Sequence, residues 1–186
     1  MHVSSVPRAV ASALLASLLL GAGPALAQIE TEVSDVTGTK RIESSGMRSL
    51  HAPQYDGSHA SFRAAYVNDP DEGSTWTLTV YGFTDMETPV GRANQFLVEA
   101  DGQLFEPARL TSKTREVDGT LLEIKRAAFS RSAFAAIAGA QTVTISIGPT
   151  QFTAIYARRA DLRRILDRVP ESTTPRTAST DSSGGR

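Results

Sequence analysis

The segment His51-Ala-Pro-Gln-Tyr-Asp-Gly-Ser-His59 places two imidazoles, a phenol and a carboxylate within nine residues. Two imidazoles and a carboxylate around an open position make a zinc-type donor set. The spacing matches no helical or finger pattern, and turn formers fill the stretch. Ordinary loop polarity therefore accounts for it as well. A Ser-His-Asp nucleophile would have to borrow one of these histidines, and no Gly-x-Ser-x-Gly elbow presents a serine. Paired-carboxylate chemistry needs only geometry. Asp69, Asp71, Glu72, Asp85, Glu87, Glu99, Glu106, Glu116 and Glu123 are available for it. A working pair would contain one carboxyl buried enough to hold its proton. Asp69-Pro-Asp-Glu-Gly73 has the outline of a calcium loop but lacks the distal bidentate Glu, so a plain turn is expected there.

Two further groups of residues point to binding. Tyr81 and Phe83 fall on the strand face opposite Trp76, Leu78 and Val80, beside threonines. If that face meets water, the two rings form a ligand-binding patch. Arg159, Arg163, Arg164 and Arg168 lie off the apolar stripe of a terminal helix and should cover its outer arc. The sharp reading is an anion-binding surface; the plain one is a solvated face with Asp161–Arg164 and Arg163–Asp167 pairs. No phosphate loop or dinucleotide fingerprint is present, and the sequence calls for no cofactor or metal.

The address is clearer than the chemistry. Arg8, the apolar run Ala9–Leu20 and the stretch Pro24-Ala-Leu-Ala27 have the three-part form of a secretory signal, with cleavage expected after Ala27. The chain has no cysteine, which excludes a lipid-attachment box, disulfides and thiolate metal sites. Residues 28–170 are expected to form one globular domain, and 171–186, rich in Ser, Thr, Pro and Gly, a disordered tail. The 19 basic residues less Arg8 leave 18 against 20 acidic ones, a net charge of −2. That balance gives no bulk preference for nucleic acid. The expected location is the bacterial periplasm or the extracellular space, with no transmembrane segment in the mature chain.

The elements that must position these residues are mostly strands. Period-two alternation marks 61–67, 75–83, 142–147 and 151–157. Asp101-Gly102 and Asp118-Gly119 are type I′ hairpin signals. The first implies that Ala100 faces Gln103 and Val98 faces Phe105. The second sets Ser112, Thr114 and Glu116 against Lys125, Glu123 and Leu121, a polar face read here as solvent-facing at a sheet edge. Ser130–Ala138 should be a short helix capped by Ser130 and ended by Gly139, and Arg159–Val169 an amphipathic one. The fold class that follows is mainly β: an antiparallel sandwich or partly open barrel with one short internal helix and a C-terminal amphipathic helix. The function expected of it is a non-catalytic, envelope-associated binding domain. A polymer hydrolase with paired carboxylates and a peripheral anion binder stand as alternatives.

Overall fold

The computed structural model describes residues 29–169. The expected leader, its cleavage point and the tail 171–186 lie outside the described residues. The strands are β1 (Ile29–Val33), β2 (Lys40–Ser44), β3 (Arg48–Ser49), β4 (His59–Asp69), β5 (Gly73–Thr84), β6 (Phe96–Ala100), β7 (Gln103–Phe105), β8 (Arg109–Val117), β9 (Thr120–Phe129), β10 (Val143–Ile147) and β11 (Thr150–Thr153). The helices are α1 (Pro89–Arg92), α2 (Arg131–Gly139) and α3 (Ala160–Arg168), with a 3₁₀ turn at Tyr156–Arg159 leading into the last.

Two antiparallel sheets result. The larger runs β1-β2-β4-β5-β9-β8, with β3 added beside β4, and the smaller runs β11-β10-β6-β7. Neither closes on itself. Their inner faces share one apolar cluster in a sandwich-like arrangement: Phe62, Trp76, Leu78 and Val80 from the larger sheet, Val98, Ile145, Ile147 and Phe152 from the smaller. Phe134 and Ile137 of α2 and Leu162 and Ile165 of α3 complete the cluster. The His51 backbone joins the two layers, donating to the Thr153 carbonyl at 3.1 Å and accepting from its N–H at 2.8 Å.

Both Asp-Gly turns form as their sequences dictate. Asp101 and Gly102 take φ of 49° and 83°, Asp118 and Gly119 φ of 52° and 79°. The registers follow: Val98 opposite Phe105, Thr114 opposite Glu123, Ser112 opposite Lys125. The strand expected over 151–157 stops at Thr153, and Tyr156 turns into the 3₁₀ segment, 41% exposed. Ser130 caps α2 by accepting from the Ala133 N–H, but the helix runs through Gly139 and its C-cap is Ala140. The short α1, entered through the Thr88 cap and Pro89, had no periodic signal long enough to announce it.

One expectation about burial is overturned. Glu123 and Lys125, assigned to a solvent-facing surface, are each 1% exposed. On β9 the inward side carries Glu123, Lys125, Ala127 and Phe129, and the outward side carries Leu122, Ile124 and Arg126. The reason is the segment 84–95. It folds back over the inner side of β9 and supplies the hydrogen-bond partners that let two charges be buried.

Candidate anion-binding face

Among the carboxylates available for paired chemistry, Glu123 is buried beside Lys125, and the geometry of the two is closed. Glu123 accepts from the Thr88 N–H and Thr88 hydroxyl, both at 2.7 Å, and from the Tyr55 hydroxyl at 3.2 Å. Lys125 Nζ donates to the Gly91 and Ala93 carbonyls at 2.8 and 2.6 Å and to Ser112 Oγ at 2.9 Å. All three ammonium protons are used. Burial, and then the neighbouring Glu123 carboxylate, push the Tyr55 phenol far above its ordinary range. Burial also lowers the Lys125 ammonium, while Glu123 and Glu87 draw it back up. Gly82 is required where it stands, because a Cβ there would collide with the Tyr55 hydroxyl. The cluster clamps segment 84–95 to the sheet, with both Glu123 oxygens and all three Lys125 protons taken by protein partners.

Of the other candidate carboxylates, Asp71, Glu72, Asp85, Glu87, Glu99, Glu106 and Glu116 are exposed, while Asp69 is held by the protein's own groups, as are Asp101 and Asp161. Asp69 accepts from the Asp71 and Glu72 N–H groups at 2.9 and 3.1 Å and from the Thr39 hydroxyl at 2.9 Å. Asp101 accepts from the Gln141 and Thr142 backbone. Those backbone N–H groups hold both acids below the usual carboxylate range, the reverse of what a general acid needs. Asp161 takes a two-point ion pair from Arg48, at 2.7 and 3.1 Å. Of the histidine segment, Tyr55 is buried and His59 lies against Phe83, ring centroids 5.9 Å apart. Among the described residues, no three His, Cys, Asp or Glu side chains come together as a metal site.

The arginines of the terminal helix divide. Arg159, expected on the outer arc, is 1% exposed. The 3₁₀ turn before α3 rotates it inward, where it donates to the carbonyls of Ala154, Ile137, Ala140 and Gln141 at 2.6–3.0 Å. It closes the C-terminal end of α2. Arg163 donates to the Ala138 carbonyl and lies 4.2 Å above the Tyr156 ring. Arg168 reaches the Ile29 carbonyl at 3.2 Å, and Arg164 is half-buried. Geometry thus spends Arg159, Arg163 and Arg168 largely on the protein's own groups.

The outer face of the larger sheet is different. Register places its side chains in rows. One row runs Arg63, Thr79, Arg126, Thr111; the next Ser61, Tyr81, Ile124, Lys113; the third His59, Phe83, Leu122, Arg115. A fourth runs Ala65, Thr77, Ala128, Arg109. The small members Ser61, Ala65, Thr77, Thr79 and Ala128 are buried beneath the long arms around them. Arg109, Lys113, Arg115 and Arg126 are exposed, and no acidic side chain stands on the outer side of β8 or β9. Acids collect at the far end, where Glu43 pairs with Arg41 at 2.7 Å and lies 3.7 Å from Arg63. Arg63 Nε is buried without a hydrogen-bond partner.

Among the described residues, two concavities on this face bear on binding. The larger, about 430 Å³, has Tyr81 on one side, Ile124 and Arg126 beneath, and Thr111, Lys113 and Arg115 on the other. The smaller, about 210 Å³, is bounded by Arg41, Arg109, Arg126 and Thr77 and by the acids Asp69 and Glu72. Arg126 borders both. Tyr81 and Phe83, predicted to share this face, are half-buried on it, and Tyr81 forms a wall of the larger hollow. Sequence reading missed the cations beside them. The signal was present: once the Asp118-Gly119 register is written out, Arg109, Lys113 and Arg115 share a side with Arg126. Comparison with known proteins found no matching family model, no matching curated protein and no matching solved structure.

Proposed function

We propose that this chain is a non-catalytic binding domain that receives an anionic ligand on the outer face of its larger sheet. The observation that carries the reading is the cluster of Lys113, Arg115 and Arg126 around the Tyr81–Ile124 hollow, with Arg109 beside Arg126 at the smaller hollow and no acid on the outer side of β8 or β9. Cations around an Ile124 floor and one aromatic wall suit a ligand with charged groups spaced along a flat body. Sulfated, phosphorylated or carboxylated polymers have that form. The arginine side chains offer two-point hydrogen bonding to such groups. The export signal of the sequence supports a place in the bacterial periplasm or outside the cell, where acidic envelope polymers would be the partners. The hydrolase alternative loses support because Glu123 is enclosed and Asp69 is held ionised. The anion-binding alternative moves from α3 to the sheet.

The test is retention on dextran sulfate against neutral dextran, as a function of salt. Binding that falls steeply with added salt, and drops at least tenfold in Arg109→Glu/Arg126→Glu, supports the reading. Equal retention on both matrices, or no loss in that variant, overturns it.

A further inference from the structure

Among the described residues, β1 and β8 are the two ends of the larger sheet, and each pairs with a neighbour strand on one side only. β8 is nine residues long, in unbroken one-to-one register with β9, without proline. Such an edge is a template for another strand.

Charge sorts the partners it can take. The outward-face residues of β8 include Arg109, Lys113 and Arg115; those of β1 are Glu30 and Glu32, opposite Glu43 and Arg41. Two β8 strands related by a two-fold axis at any residue from Thr111 to Thr114 set cation against cation. Two β1 strands centred on Glu30, Thr31 or Glu32 set glutamate against glutamate. Directly opposed like charges destabilise a sheet. One antiparallel β8–β1 register, with Glu32 opposite Lys113, also sets Glu30 opposite Arg115 and opposes no like charges.

Backbone phase agrees. Ser34 N–H donates to the Thr39 carbonyl at 3.0 Å, so even-numbered residues of β1 face β2 and Thr31 and Val33 turn their N–H and C=O groups outward. Val117 and Thr120 flank the two-residue turn as its closing pair. Odd-numbered residues of β8 therefore face β9, while Ser112 and Thr114 turn outward. In the charge-matched register Thr31 meets Thr114 and Val33 meets Ser112, outward group to outward group. Glutamates and cations then occupy the closer, non-hydrogen-bonded pairs, about 4.5 Å between Cα atoms. Strand direction agrees too. The strands alternate from β1 to β8, so extending the sheet without turning the molecule over brings them together antiparallel. Arg168 already holds the Ile29 carbonyl and lies 3.5 Å from Thr31 Oγ1, leaving the Thr31 and Val33 backbone for pairing.

We infer that copies of this chain add head to tail, the β8 edge of one against the β1 edge of the next. The partner is a second copy, and the contact is heterologous, so it generates a ring or an open filament. It shares Lys113 and Arg115 with the proposed binding face, whereas Arg126 borders that face on β9, away from the edge, and separates the two readings.

The experiment is sedimentation of the purified chain over a concentration series at low and high salt, with charge-swapped variants whose fold is checked by circular dichroism. Wild type should gain mass with concentration and lose it in salt. Glu30→Lys/Glu32→Lys alone and Lys113→Glu/Arg115→Glu alone should each weaken assembly at least tenfold. An equimolar mixture of the two should restore it, because each then offers the other opposite charges at both edges. Arg126→Glu should leave assembly unchanged. A wild type that stays monomeric at every concentration overturns the proposal. So do swapped variants that assemble as well as wild type, a mixture that fails, or an acidic peptide bound at β8 while the chain remains a monomer.

Discussion

The two sides of β9 carry charge for opposite ends. On the inner side Glu123 and Lys125 are dry and every polar atom has a protein partner. On the outer side Arg126, with Lys113 and Arg115 of β8, projects around a hollow lined with Tyr81. A buried charge is tolerated only where its partners are built in, and it then fixes a segment in place. A clustered, exposed charge with no acid on its side of β8 or β9 is available to an outside partner. Side-chain polarity is the same on both sides; what separates them is whether the chain supplies the partner.

The sharpest way to break the contrast is on the inner side. Glu123→Ala strands the Thr88 N–H and the Thr88 and Tyr55 hydroxyls and removes the opposite charge nearest Lys125, and should cost about 3–5 kcal/mol in urea unfolding. Arg159→Ala should follow at roughly 3 kcal/mol, since four carbonyls lose their donor. If either change is silent, the cluster is not what holds its segment.

How much of this could be read from the chain alone follows the same division. The alternation of Trp76, Leu78 and Val80 and the two Asp-Gly turns determine strand faces and register, because period two and a positive-φ turn leave one solution. They do not say which face of β8–β9 is covered. That depends on the return of segment 84–95, whose contacts to Lys125 span 32 and 34 residues of sequence. Arg159 was misplaced for a related reason. The helical wheel assumed an α-helix from Arg159, whereas the 3₁₀ turn up to that residue shifts its direction. Tyr81 and Phe83 were placed on the right face by alternation, but the cations that give the hollow its sign come from a strand distant in sequence.

pH sharpens the contrast further. The Tyr55 phenol is raised by burial and by Glu123, so the folded state favours its protonated form. Its contribution is complete below the unfolded pKa of about 10 and is lost as pH climbs from there through the folded value. Tyr55→Phe should therefore flatten the alkaline limb of a stability–pH curve. At the acid end, Asp101 is lowered by the Thr142 and Gln141 N–H groups. Its contribution is present above the unfolded pKa, about 3.9, and is lost as pH falls through the folded one. Asp101→Asn should flatten that limb. Smallest of all in stability should be the outer face, where Lys113→Ala is expected to stay within about 0.5 kcal/mol of wild type in the same unfolding assay.

The proposed anion-binding surface is the outer face of β5, β9 and β8. Amide chemical-shift mapping during titration with a sulfated oligosaccharide tests it most directly. Salt-sensitive shifts concentrated at Tyr81, Thr111–Arg115 and Ile124–Arg126 are the predicted result. Shifts confined to α3 or to the smaller sheet, or none at all, would contradict it.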